Sequence, residues 1–192
     1  MTRRARHPGG PPGEVRLIGG QWKRSKLPVA DRAGLRPTPD RVRETLFNWL
    51  GQDLTGWRVL DAFAGSGALG FEAASRGAAE VLLIERDTEL LRSLGEVKAR
   101  LKADAVQVLG ADAVAWLARC APARFELVLI DPPFDSKAFE PALAAAAPCV
   151  VPGGFLYLEA PREFDAAPAG LALHRHLRAG AVHAHLFVRL QS

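Results

Sequence analysis

The sequence predicts an α/β chain: a doubly wound, mainly parallel sheet covered by helices on both faces, with an antiparallel hairpin at its end and a small basic extension in front. Three observations predict it. From residue 57 onward, short apolar runs alternate with helical patterns, which is how parallel strands joined by right-handed crossovers read. One run, ending in Val59-Leu60-Asp61, breaks into Ala62-Phe63-Ala64-Gly65-Ser66-Gly67 and then a helical pattern. Glycines there let the backbone turn tightly and let a ligand approach. Finally, the rhythm changes near the end, where two extended runs flank Ala179-Gly180.

Taken in order, residues 14–18 alternate and predict a short strand, with Gly19-Gly20 as its turn and 21–27 as its partner. Thr38 before Pro39 suits an N-cap followed by proline at the first helical position. Val42, Leu46, Trp49 and Leu50 recur at helical spacing and predict one packed face. Residues 51–56 form a loop. The alternation then runs through strand 58–62, helix 68–76 stopped by Gly77, strand 80–85 and helix 87–102, whose Leu90, Leu91, Leu94 and Val97 share a face. Strand 105–109, helix 113–121, strand 125–130, helix 139–149 and strand 155–159 follow. The terminal hairpin pairs 171–177 with 182–190. This divides the chain into a basic tail expected to be disordered (1–13), a basic hairpin and helix packed on the core (14–56), and the α/β domain (57–192).

Hydrophobic residues make up 48% and charged residues 24% of the 192, which fits an ordinary globular core. No apolar run approaches the roughly 18 residues of a membrane span, and the Arg- and Pro-rich start has no apolar segment of the secretory kind. A cytoplasmic protein is expected. Cys120 and Cys149 make no metal or disulfide pattern. The charge is uneven: residues 1–45 carry 11 Lys/Arg against 4 Asp/Glu, and the other 147 carry 14 against 17. A basic head on a mildly acidic body points to a polyanion contacted by the head. Arg16, Lys23, Arg24, Lys26, Arg36, Arg41 and Arg43 are the candidate phosphate contacts. Arg41 and Arg43 have a second reading, as surface pairs with Asp40 and Glu44. Trp22 either stacks on a base or covers the hairpin's apolar side.

Open α/β sheets bind ligands at the carboxyl ends of their strands. Asp61 ends the first core strand. Gly65–Gly70 is formally a G-x-G-x-x-G, the dinucleotide fingerprint, but a fixed carboxylate at Asp61 would repel a pyrophosphate. It suits a ligand carrying an ammonium group, such as the methionine half of S-adenosylmethionine. Glu85 ends the second strand, where a carboxylate can accept ribose hydroxyls. Asp112, after the third, either caps the next helix or accepts from an adenine amino group, or does both with one oxygen each. The fourth strand ends in Asp131-Pro132-Pro133-Phe134. The prolines stiffen the backbone and hold the Asp131 carboxylate and the Pro132 carbonyl side by side, matching the two N–H groups of a planar exocyclic amine. Phe134 offers a flat face for a base. Glu159 and Glu163 read as unassigned surface acids. His174, His176, His183 and His185 alternate on the terminal hairpin with no Cys or carboxylate near in sequence, so no metal is expected.

On these residues the chain resembles a class I S-adenosylmethionine-dependent methyltransferase with a Rossmann-like fold. More closely it resembles the RsmD family, which methylates N2 of a guanine in small-subunit ribosomal RNA. Four segments carry the resemblance: Arg16-Leu17-Ile18-Gly19-Gly20-Gln21-Trp22, the stretch from Arg36 to Phe47, the stretch from Asp61 to Gly70, and Asp131-Pro132-Pro133-Phe134. The resemblance implies a seven-stranded sheet. It implies cofactor contacts at Thr38, Asp61, Phe63, Ala64, Gly65, Ser66 and Gly67, and at Glu85, Arg86, Asp112, Ala113 and Asp131, with catalysis at 131–134. It also implies ribosomal RNA, free or in an assembled particle, as partner. Competing readings are an adenine-N6 methyltransferase, an NAD-dependent oxidoreductase using the glycine turn, and a non-catalytic RNA-binding assembly factor.

Overall fold

A computed structural model describes residues 13–30, 38–134, 136–164 and 166–191. Arg36 and the expected tail, apart from Gly13, lie outside these residues. Strands β1 (Glu14–Arg16) and β2 (Lys26–Pro28) precede helix α1 (Asp40–Trp49). The core then runs β3 (Arg58–Asp61), α2 (Ala68–Ser75), β4 (Glu80–Glu85), α3 (Thr88–Leu101), β5 (Val106–Gly110), α4 (Ala113–Leu117), β6 (Phe125–Ile130), α5 (Phe139–Ala146), β7 (Val150–Ala160), β8 (Leu171–Ala179) and β9 (Val182–Arg189). Seven strands form one sheet in the order β5-β4-β3-β6-β7-β9-β8. β3 to β7 are parallel, and β9 pairs antiparallel with both β7 and β8. The expected α/β architecture is therefore present, reversal included.

Burial explains the layers. β3, β4 and β6 read as continuous apolar runs because both their faces are covered. On one face Val59, Val81, Leu83, Leu127 and Leu129 meet Leu46 and Phe47 of α1, Phe71 of α2 and Leu94 of α3. On the other, Leu60, Leu82, Ile84, Val128 and Ile130 meet Leu117 of α4 and Leu143 of α5. Asp87 caps α3, accepting from the Glu89 and Leu90 amides. Both cysteines are free thiols.

Several expected boundaries shift, each for a local reason. The first hairpin is not closed at Gly19-Gly20. Residues 17–25 form a longer loop, in which Leu17 N donates to Ser25 O and Arg24 N to Leu17 O. This loop is pinned to the end of α2. Gln21 N donates to Ser75 O, Trp22 N donates to Ser75 Oγ, and a Cβ at Gly20 would stand 1.8 Å from the Ser75 carbonyl oxygen. Contact with a helix more than fifty residues on overrides the local turn signal. β7 begins at Val150, ahead of the expected residue 155, because Phe125 pairs with Val150 before the register slips to Leu127 with Phe155. Pro152-Gly153-Gly154 bulge out in between, with Gly153 at φ 77°. α4 stops at Leu117 because the next amides, of Arg119 and Cys120, bond only three residues back.

Candidate active site

The carboxyl edge of the sheet carries one acid per parallel strand. In sheet order these are Asp112 just past β5, Glu85 on β4, Asp61 on β3, Asp131 just past β6, and Glu159 on β7. Asp61 is 1% exposed, and its Oδ2 accepts the Gly70 amide at 3.0 Å. Burial pushes its carboxyl up to about 7, the Gly70 N–H opposes this, and the negative charges of Glu85 and Glu159 add to it. Past Asp61 the loop folds onto its neighbours: Ala62 N donates to Leu129 O, and Ala64 N to Ile84 O. Gly65 and Gly67 have φ 54° and 78°, a conformation that side chains disfavour. Gly67 stands at the N-cap of α2, and no side chain caps that helix's first turn. Phe63 and Ser66 are half-buried beside the loop, and Ala64 is buried.

Glu85 knits this loop. Its Oε2 accepts from Gly65 N at 3.0 Å, and its Oε1 accepts from Arg86 N and Asp87 N at 2.8 and 2.9 Å. A carboxylate has about four acceptor sites, so these bonds leave it one, on Oε2. Arg86 itself is exposed. Asp112 caps α4, with Oδ1 accepting from Ala115 N at 2.8 Å, while Ala113 behind it is buried.

Asp131, partly open to solvent, receives a long hydrogen bond from the Thr38 hydroxyl to Oδ2, at 3.4 Å. Its carboxyl is raised well above the ordinary range by burial first, then by the charges of Glu159 and Asp61. Thr38 is therefore no N-cap. Pro39 holds that position without a side-chain bond, and the hydroxyl turns to the strand-end acid instead. Pro132 is buried and Pro133 exposed. Phe134 is 38% exposed, and its ring lies 6.3 Å from that of Phe139.

Glu159 is not a surface acid. It is 3% exposed and accepts from the Tyr157 hydroxyl at 2.9 Å. Burial raises its carboxyl, while the hydroxyls of Thr38 and Tyr157 and the charge of Arg43 oppose that. The signal was available: Glu159 closes the apolar run Phe155-Leu156-Tyr157-Leu158 as Asp61 and Asp131 close theirs.

The basic head divides. Arg16, Lys23, Arg24, Lys26 and Arg41 are exposed, with Lys26 paired to Glu14 at 2.9 Å. Arg43 is fully buried and cannot face RNA. Its guanidinium donates to Asp40 Oδ1 at 2.6 Å and to Arg16 O at 2.8 Å, and lies 3.5 Å from Glu72 Oε2. Glu72, also buried, accepts the amides of Ile18 and Gly19, both at 2.8 Å, and Arg76 Nε at 2.9 Å. The pair with Asp40, three residues back, is the one the sequence offered, but Arg43 is buried and not on the surface, and its contacts with Arg16 and Glu72, 27 and 29 residues away, come only from folding. Trp22 is half-buried against the core, which favours its covering role. The histidines are not all on the surface either: His185 is fully buried, and Glu163 comes up beside His176.

The sequence matches the family model described as conserved hypothetical protein 95 over residues 15–188. It is 42% identical over 181 residues to the ribosomal RNA small subunit methyltransferase D of Escherichia coli K12, covering 92% of this chain and 91% of that one. It is 39% identical to the Haemophilus influenzae protein of the same name, covering 79% and 81%. The chain belongs to the RsmD methyltransferase family. A solved methyltransferase structure from Escherichia coli superposes with a TM-score of 0.83 at 41% identity, covering 93% of this chain and 99% of that one. A methylase structure from Haemophilus influenzae gives 0.79 at 33%, covering 93% and all of its own chain.

Proposed function

We propose that this chain uses S-adenosylmethionine to methylate the exocyclic N2 amine of a guanine in small-subunit ribosomal RNA. The observation that carries the reading is the row of strand-end acids, with Asp131-Pro132-Pro133-Phe134 in the middle of it. Among the described residues no salt bridge reaches Asp61, Glu85, Asp131 or Glu159. Such an edge favours a cationic ligand and disfavours the paired phosphates of NAD. The names of the relatives supply the RNA.

The donor groups fit S-adenosylmethionine. The uncapped first turn of α2 offers amides to its carboxylate, and Asp61 offers charge to its ammonium group. The remaining acceptor site of Glu85 serves a ribose hydroxyl, and the second oxygen of Asp112 serves the adenine amine. Phe63, Ala64, Ser66, Arg86 and Ala113 line the same loops. When bound, the cofactor supplies an electrophilic methyl group.

Everything else falls to the chain. Phe134 takes the face of a guanine that has left its stack, as RNA loops allow at low cost. Asp131 and the Pro132 carbonyl accept the two N–H bonds of the amine, drawing its lone pair out of the ring and toward the methyl. The nitrogen lone pair would form the bond to the methyl carbon as the carbon–sulfur bond breaks and its electron pair leaves with the sulfur. The nitrogen so becomes positive, and the same two acceptors stabilise that charge. One N–H proton then passes to Asp131, whose raised proton affinity suits it to receive one. Glu159 and Tyr157 sit behind this acid, and Thr38 holds its Oδ2. Residues 14–56 form the RNA-facing part, through Arg16, Lys23, Arg24, Lys26, Arg36 and Arg41, and residues 57–192 form the methyltransferase part. A substrate of this kind places the protein in the cytoplasm.

The test is methyl transfer from labelled cofactor to small-subunit RNA, naked and in assembled subunits, followed by nucleoside analysis. N2-methylguanosine is the expected product. Label on adenine N6, thermal stabilisation by NAD but not by S-adenosylmethionine, or RNA binding without transfer would each overturn the reading.

A further inference from the structure

We infer that the terminal hairpin carries a binding site for a divalent transition-metal ion, formed by Glu163, His176 and His183. One ligand atom from each residue lies within 4.8 Å of the others. His176 Nε2 and His183 Nδ1 are 3.1 Å apart, and Glu163 Oε1 is 3.6 Å from His176 Nδ1. Two ligands at about 2.0–2.1 Å from a tetrahedral zinc ion stand roughly 3.3 Å apart, so the two imidazoles already have nearly the right separation.

Topology holds them there. His183 lies on β9 and His176 on β8, where His176 pairs directly with His185. The ring of His176 stacks on both of the others, at 5.3 Å from His183 and 4.7 Å from His185, which are 6.3 Å from each other. His185 is the fixed floor of this stack: it is fully buried, and its Nε2 accepts the Phe164 amide at 3.1 Å. Glu163 comes from the segment after β7, and its exposed side chain is free to close over the ion. Nothing local in the sequence announces the triad, because the acid is 13 residues from the nearer histidine.

The donor set names the metal class. Two neutral imidazoles and one carboxylate suit zinc and its neighbours, and suit magnesium poorly. Both ring protons must sit on the nitrogens that face away from the ion, a change of tautomer with no proton lost. Water fills the remaining position. The bound ion would tie the segment after β7 to the β8–β9 hairpin, within a few residues of Glu159.

The experiment uses the full chain without an affinity tag, titrated with zinc and, as control, magnesium, by calorimetry and thermal shift. One zinc per chain and a raised melting temperature are expected, with no response to magnesium. His183→Ala should weaken zinc binding at least 100-fold, and Glu163→Gln, at an exposed position, by about 10–100-fold. A Cys120→Ser/Cys149→Ser variant should bind as the parent does. Absence of saturable zinc binding, or binding unchanged in both His183→Ala and Glu163→Gln, overturns the site. None of these readouts depends on methyl transfer.

Discussion

Arg43 and Glu72 are buried charges that face each other, whereas the buried Asp61 and Glu159 and the half-buried Asp131 are acids grouped with other acids. In the first cluster every charge has a partner. Arg43 reaches two carboxylates and two carbonyls, and Glu72 takes two amides and Arg76. In the second the hydrogen bonds are few, no salt bridge among the described residues reaches the acids, and the charge of Arg43 offsets Glu159 only in part. The contrast separates architecture from chemistry. A buried charge with its counter-charge supplied by the chain fastens one element to another. Buried acids without one leave a deficit that a cationic ligand fills, and their raised proton affinities record that deficit.

Each prediction acts on one side of this contrast. The largest effect is expected from Asp131→Ala, which should lower single-turnover methyl transfer by about 10³-fold or more while changing cofactor affinity by less than about tenfold. Retained transfer would remove Asp131 from the chemistry. In the paired cluster, Glu72→Ala leaves Arg43 buried without its carboxylate. It should destabilise the protein by about 3–5 kcal/mol in urea unfolding.

Asp61→Asn should have the opposite sign. Asp61 titrates at about 7 when folded, against an ordinary value of 3.8. Below about pH 4 both states hold the proton and nothing is lost. As pH rises toward 7 only the folded state keeps it, so this group makes stability fall with pH, by a total on the order of 4 kcal/mol. The asparagine variant removes that fall. At pH 8 it should be about 1–3 kcal/mol more stable without ligand, yet bind cofactor at least about tenfold more weakly. A destabilised Asp61→Asn would erase the distinction between the clusters.

Thr38→Val takes away a hydrogen bond that lowers the pKa of Asp131. The acid limb of the pH–rate profile should move to higher pH, by less than about one unit. The smallest effects belong to the exposed cations. Lys23→Ala and Arg24→Ala should each weaken RNA binding a few-fold and reduce its salt slope by about one. An unchanged slope would place the RNA elsewhere.

The sheet was legible because its strands are apolar runs covered on both faces, and the strand-end rule found Asp61, Glu85 and Asp131 directly. The same rule reaches Glu159, which ends the apolar run Phe155-Leu156-Tyr157-Leu158 and is buried, not a surface acid. Thr38 and Arg43 were misplaced. Their partners, Asp131 and Glu72, are brought near by folding, while the local pattern offered a cap and a surface pair. The Gly19-Gly20 turn failed in the same way, since Ser75 decides where that loop lies. Residues fixed by neighbours in sequence could be read, and those fixed by the packing of α1 and the hairpin on α2 could not.

Helix α2 meets the glycine loop at one end, and at the other its Ser75 and Glu72 grip the loop that carries Lys23 and Arg24. Its eight residues span about 12 Å. If the hairpin holds RNA as proposed, this short rod works as a caliper between the grip on the strand and the seat of the methyl donor. One inserted residue would swing the grip by about 100° around the rod's axis. The enzyme would still hold RNA and donor, but would offer the wrong nucleotide, so the choice of target is written partly in the length of a helix that touches no base.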